Sequence, residues 1–182
     1  MRSIRSALLA EQGYVCAYCG CTVKADGSDS HIEHFWPRSR YPTRDVDYEN
    51  LFISCGRKGG KETPKICGDA KADWHDPVNT DVIPSHPDSE RRFSYNGNGM
   101  VRTSRQGVAL VESLFEDVVN LNDPSLIAKR KRIIADAERA LAQDAAFLDD
   151  TIAGWRSVDA EGRVQDLGHV AALYLEQERE FL

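Results

Sequence analysis

No stretch of the 182 residues approaches the roughly 18–20 uncharged apolar positions that a membrane-spanning helix needs. The run Ala7-Leu8-Leu9-Ala10 behind Arg2 and Arg5 is too short for a secretory signal core, and Glu11 closes it at once. These absences predict a cytoplasmic protein with no membrane contact. Internal repeats and low-complexity tracts are also missing, which argues against a repeat array. Positive charge is in short supply: 23 Lys and Arg against 29 Asp and Glu leave a net of −6, a poor balance for a protein that coats nucleic acid. What is present is an ordinary globular mixture, 41% apolar and 29% charged. The length suits one domain with an appended helical part and suffices to bury a core.

The charge deficit is uneven. Residues 1–75 carry 11 basic and 10 acidic side chains, a net of +1; residues 76–182 carry 12 and 19, a net of −7. Within 54–71 five basic residues face two acidic ones. A basic strip on an acidic protein can serve one phosphate backbone with salt-sensitive affinity. Arg38, Arg40, Lys58, Lys61 and Lys65 are the candidate contacts, although a basic loop is more often simply solvated.

The five cysteines, Cys16, Cys19, Cys21, Cys55 and Cys67, are odd in number, and the expected compartment is reducing, so a disulfide framework is a poor reading. Cys16-Ala-Tyr-Cys19 has the spacing that lets two thiolates of one tight turn reach a tetrahedral ion, typically Zn²⁺. Cys55 and Cys67 supply the other half if the eleven intervening residues, rich in Gly and Lys, loop out. Cys21 is the bystander, because a third thiolate two residues on strains the turn. Buried or free thiols are the alternative.

Residues 3–12 predict a short helix stopped by Gly13. Residues 31–36 and 50–54 predict two strands, the first ended by Pro37. Residues 68–74 suit a short helix and 76–90 a loop. Arg91–Tyr95 and Met100–Thr103 flank Asn96-Gly97-Asn98-Gly99, a β-hairpin pattern. Asp123 and Pro124 cap and open a helix whose apolar spacing runs through Leu126, Ile134, Ala137, Leu141, Ala145 and Leu148 to about residue 150. A last helix covers 166–181.

The chemistry concentrates in His31-Ile-Glu-His-Phe-Trp-Pro37. Glu33 and His34 are adjacent, and at a strand end a twist lets both approach one site. A carboxylate can hold a hard cation such as Mg²⁺, and a neutral imidazole can take a proton from water near neutral pH. Metal and base beside a basic strip fit phosphodiester hydrolysis. Asn50, between two predicted elements, can pin the loop. His31, three residues from His34, reads as an exposed strand histidine, the alternative being a group that supports the site or touches substrate.

The order Cys-x-x-Cys, Glu-His, Asn-Leu, Cys…Cys-x-x-x-Lys over residues 14–74 resembles the HNH endonucleases, whose zinc-stapled ββα-metal fold is also called the His-Me finger. The hairpin segment RRFSYNGNGMV and LNDPSLIAKRKR are similar to the HNH family that includes the nuclease subunit of Septu and retron-linked anti-phage systems, where the nuclease works beside an ATPase. The resemblance implies His34 as general base, Glu33 as ligand of a catalytic Mg²⁺ or Mn²⁺, and Asn50 as the residue orienting the base's loop. It places Cys16, Cys19, Cys55 and Cys67 on the structural zinc. Its third motif expects His or Asn where this chain has Gly68; Asp69, one residue on, is the substitute ligand. Lys71 matches the trailing lysine and is expected at phosphate. The expected architecture is α+β: an HNH core with structural zinc over 1–75, then a β-hairpin and helical C-terminal part over 76–182 that docks a partner. The expected activity is DNA cleavage in defence against phage, with DNA and an ATPase as partners. A zinc-stapled module that binds nucleic acid or protein without cutting is the alternative.

Overall fold

The computed structural model describes residues 3–56, 65–76, 83–87, 89–104, 117–143 and 147–179. Helix α1 (Ile4–Glu11) begins where the Ser3 hydroxyl accepts the Ser6 amide at 3.2 Å. It buries Leu8 and Leu9 and gives way to Gly13 at φ +61°. Strands β1 (Ser30–His34) and β2 (Leu51–Cys55) pair antiparallel, with Glu33 opposite Phe52 and His34 opposite Leu51. The first strand stops two residues before its expected end. Phe35 still bonds the Asn50 carbonyl at 3.0 Å, but the Trp36 amide turns to the Asn50 side chain and leaves the ladder.

The free edge of β2 is closed by a side chain. Gln12 accepts the Ile53 amide at 2.7 Å and donates to the Ile53 carbonyl at 3.0 Å, imitating a neighbouring strand. Helix α2 (Cys67–Lys71) packs against β2. These elements form a mixed α+β arrangement of small antiparallel sheets and helices.

Strands β3 (Phe93–Tyr95) and β4 (Val101–Thr103) form the expected hairpin. The Asn96 Oδ1 accepts the amides of Asn98 and Met100 inside its turn. Gly99, at φ +81°, lies where a Cβ would stand 2.4 Å from the Ile127 carbonyl oxygen, so only glycine permits the hairpin to seat on helix α3 (Pro124–Gln143). Arg130, 2% exposed, locks that seat by donating to the carbonyls of Gly99 and Leu121 at 2.7 Å each.

The single helix expected through residue 150 is two: α3 ends at Gln143, and α4 (Leu148–Arg156) follows. Phe147, at φ −103° and ψ 29°, leaves helical geometry between them. Apolar spacing resumes in phase after the break, so periodicity holds no trace of it. Helix α5 (Gly168–Arg179) packs on both. No helix among the described residues is long and apolar enough to cross a membrane.

One hydrophobic cluster joins both parts of the chain, running from Leu8, Phe52 and Ile53 to Ile134, Ala137 and Leu175. Backbone bonds cross it: Cys67 donates to the Val119 carbonyl at 2.8 Å and Leu167 to the Gly20 carbonyl at 3.1 Å. The C-terminal part therefore braces the cysteine turn and α2 directly.

Candidate metal and catalytic centre

The first half of the cysteine set lies on a turn closed by two backbone bonds, Cys16 to the Cys21 carbonyl and Gly20 to the Cys16 carbonyl, both 2.9 Å. Ala17 donates to the Ile53 carbonyl at 2.9 Å and so ties the turn to β2, whose last residue is Cys55. Cys67 opens α2 beside it. The four Sγ atoms of Cys16, Cys19, Cys55 and Cys67 lie within 4.8 Å of one another, and all four thiols are free. Cys19 and Cys55 are 3.7 Å apart. A tetrahedral ion with bonds of ~2.3 Å sets its sulfurs ~3.8 Å apart, so the spacing fits a metal such as zinc.

The sulfurs are close enough to perturb one another's protonation. Burial raises the Cys16 thiol, but thiol donation from Cys19, Cys55 and Cys67 outweighs it and holds Cys16 well below the usual range. Cys19 and Cys67, bonded to Cys16, are pushed well above theirs. Thiols this close cannot all ionise together unless a cation sits among them. Cys21 stands outside the group, with Lys129 Nζ 3.9 Å from its sulfur. Its bond to Cys19, then burial, raise its thiol.

Alternation along β1 sends His31 and Glu33 to the face that α2 covers. Glu33 is 8% exposed. Its Oε1 pairs with Lys71 Nζ at 2.8 Å, and its Oε2 stands 3.4 Å from His31 Nε2. The other ring nitrogen of His31, Nδ1, lies 3.3 Å from the Gly56 carbonyl and 4.0 Å from Asp69 Oδ1. The bond to Glu33 raises the His31 pKa; burial opposes this, and Gly56 and Asp69 reinforce it. Glu33 and Asp69 thus approach opposite nitrogens of one imidazole. Among the described residues, only the four cysteines bring three or more ligating side chains around one point.

His34 meets a different partner. Its Nε2 is 3.0 Å from the Asp45 carbonyl and 3.2 Å from Asp45 Oδ1. Both are acceptors, so in the neutral ring Nε2 carries the proton and Nδ1 is the acceptor. Asn50, buried, fixes that loop from below: it accepts the Trp36 amide at 2.7 Å and donates to the carbonyls of Trp36 at 3.1 Å and Arg44 at 3.0 Å. Arg44 immediately precedes Asp45, so the Asn50 amide sets the position of the group that holds His34.

The residues expected at phosphate divide. Arg38, Arg40 and Lys65 are exposed, Arg38 with a 3.3 Å contact to Asp45; Lys58 and Lys61 lie outside the described residues. Lys71 is corrected. It is 2% exposed, and its ammonium is committed to Glu33 and, at 3.0 Å, to the His34 carbonyl. Helix packing turns it inward, where it joins the two motif residues rather than meeting a ligand. His31, expected in solvent, is likewise corrected: its side chain is 12% exposed and central to the cluster. Its two-residue spacing from Glu33 on a strand was the readable signal. Asp45 carried none, because a loop carboxylate eleven residues from His34 has no periodic relation to it.

No family model matches the chain. Over 59 residues, 32% of its length, the chain is 37% identical to Septu protein PtuB of Bacillus thuringiensis, and the matched stretch spans 23% of that relative.

Proposed function

We propose that the chain is a metal-dependent HNH endonuclease that hydrolyses DNA phosphodiester bonds, the cutting component of an anti-phage defence system that works with an ATPase. The likeness to a Septu protein supports the defence role. The observation that carries the chemistry is the fixed imidazole of His34, with Nε2 bonded to Asp45 and Nδ1 left as an acceptor.

In this reading His34 Nδ1 takes the proton of the attacking water. The Asp45 carboxylate, against Nε2, stabilises the imidazolium that results. Asn50 keeps the Asp45 loop in register, and Lys71 holds the backbone of His34 through its carbonyl. The cysteines hold a structural zinc that joins the turn, β2 and α2 and does no chemistry. A divalent ion such as Mg²⁺ or Mn²⁺, when bound at Glu33, supplies charge neutralisation at the leaving oxygen. Arg38, Arg40 and Lys65 are the exposed cations for the phosphate backbone, and the C-terminal part is the docking region for the partner.

The test is cleavage of plasmid DNA with added divalent metal and partner. His34→Ala should lower the rate by at least ~10²-fold while zinc content and melting temperature stay at wild-type values. Cutting at the wild-type rate by that variant removes His34 as the base. DNA retention without cutting under every metal leaves the binding module as the better reading.

A further inference from the structure

Position 68 has an ordinary helical backbone, so its glycine is required for space and not for conformation. A Cβ there would stand 2.8 Å from Glu33 Oε2, 2.8 Å from His31 Nε2 and 2.9 Å from Ser54 Oγ. All three neighbours are held: Glu33 by Lys71, His31 by the Gly56 carbonyl, and the Ser54 hydroxyl by the Gly68 amide at 3.0 Å. The volume that a side chain at 68 would enter is filled from β1 by an imidazole and a carboxylate.

The ring's orientation follows from its partners. Nδ1 faces two acceptors, the Gly56 carbonyl and Asp69 Oδ1, so it carries the proton. The other nitrogen, Nε2, faces an acceptor as well, Glu33 Oε2 at 3.4 Å, and shares a proton with it when no ion is bound. A divalent ion in that proton's place would bridge the two atoms, while Lys71 pairs with the other carboxylate oxygen. Adjacent ligands of an ion with bonds of ~2.1 Å stand roughly 3.0 Å apart, within a small side-chain adjustment of the distance here. An imidazole whose second nitrogen is bonded to a carbonyl is the arrangement that ligating histidines adopt.

We propose that His31 Nε2 and Glu33 Oε2 are the protein ligands of the divalent ion. Asp69 orients the imidazole through Nδ1 and does not bind the ion. The imidazole donor tilts the site toward Mn²⁺, Co²⁺ or Ni²⁺ and away from Mg²⁺. The other coordination positions are left to water and to phosphate oxygens. The ion's catalytic use rests on the nuclease reading; its binding does not.

The probe is Mn²⁺ added to the zinc-loaded full chain, followed by titration and by electron spin-echo modulation from directly bound ¹⁴N. Wild type should show a bound nitrogen and bind Mn²⁺ more tightly than Mg²⁺. His31→Ala should lose the nitrogen signal and weaken Mn²⁺ by at least ~10-fold. Asp69→Asn should keep the signal and weaken Mn²⁺ by roughly 10-fold, as loss of an orienting partner does. Circular dichroism and zinc content report folding, and His31→Gln replaces His31→Ala if the latter misfolds. An unchanged nitrogen signal and Mn²⁺ affinity in the His31 variant overturn the proposal, as does wild type with no bound nitrogen; His31 and Glu33 then share only a proton. Mn²⁺ bound through nitrogen by a chain that cuts no DNA upholds the site and sinks the nuclease reading. Cutting with no bound nitrogen does the reverse.

Discussion

Asn50 makes three hydrogen bonds from a position 1% exposed, and each satisfies a backbone group of the loop between the strands. Replacing it by alanine leaves the Trp36 amide and carbonyl without this partner, at about 1–3 kcal/mol for each buried group, and the Arg44 carbonyl with the Asp47 amide at 3.4 Å. With partial relief from water, Asn50→Ala should cost roughly 2–4 kcal/mol, or about 5–15 °C in melting temperature for a chain of this size. Asn50→Asp should be no better, because its second oxygen would face the Trp36 and Arg44 carbonyls. Calorimetry of both variants checks this; an aspartate variant of wild-type stability would show that the amide does not hold the loop. Asn50 was legible beforehand because an asparagine between two strands has few other uses. His31 was misread at the same scale. Its burial comes from α2, which folds over β1 from more than thirty residues away, and nothing local announces that cover.

At the scale of elements, α5 carries a histidine that works by staying neutral. His169 packs its ring over Gly20, where a Cβ would stand 1.9 Å from Cε1, and meets the Tyr95 ring edge-on. Burial lowers its pKa; Glu90 opposes, while Arg156 and Arg130 reinforce the drop and Cys16 weakly opposes it. The unfolded chain therefore binds a proton that the folded ring refuses. The stability from this residue is full above about pH 6.5, the ordinary histidine value, and is lost as pH falls through the lowered one. His169→Phe should flatten that acid limb: between about pH 7.5 and 5.5 the wild type should lose more melting temperature than the variant at equal zinc content. Equal losses would mean that the ring titrates freely in the fold. Elements were legible where a terminus has its own chemistry, as with Gly13, Asp123 and the Asn-Gly turn. They were not where the apolar spacing runs unbroken past a helix end, as at Phe147, or where a side chain replaces a ladder bond, as Gln12 does along β2 and Asn50 does for Trp36.

The whole molecule depends on three separated segments meeting at the sulfurs: the turn at 16–19, the end of β2 and the start of α2. The spacing of the first two cysteines was readable; the return of Cys67 to Cys55 was an expectation that only tertiary packing could satisfy, through the Val119 carbonyl and the core shared with α3 and α5. That helix also carries Gly68, Asp69 and Lys71, so its anchoring decides whether Glu33 has an ion-pair partner at all. Metal bound only by the folded arrangement contributes its binding energy to folding. Stripping the chain with a strong chelator should therefore lower the melting temperature by at least about 10 °C and expose α2 to amide exchange. Cys67→Ser should reproduce this, with zinc content falling below one per chain by elemental analysis. Cys21→Ser should leave zinc at one per chain, because its sulfur sits beside Lys129 and outside the cluster. A Cys67→Ser protein with full zinc and an unchanged transition would mean that α2 is held by the apolar core alone. The sulfurs would then be neighbours without a common ion, and Glu33 and Lys71 would owe their pairing to packing.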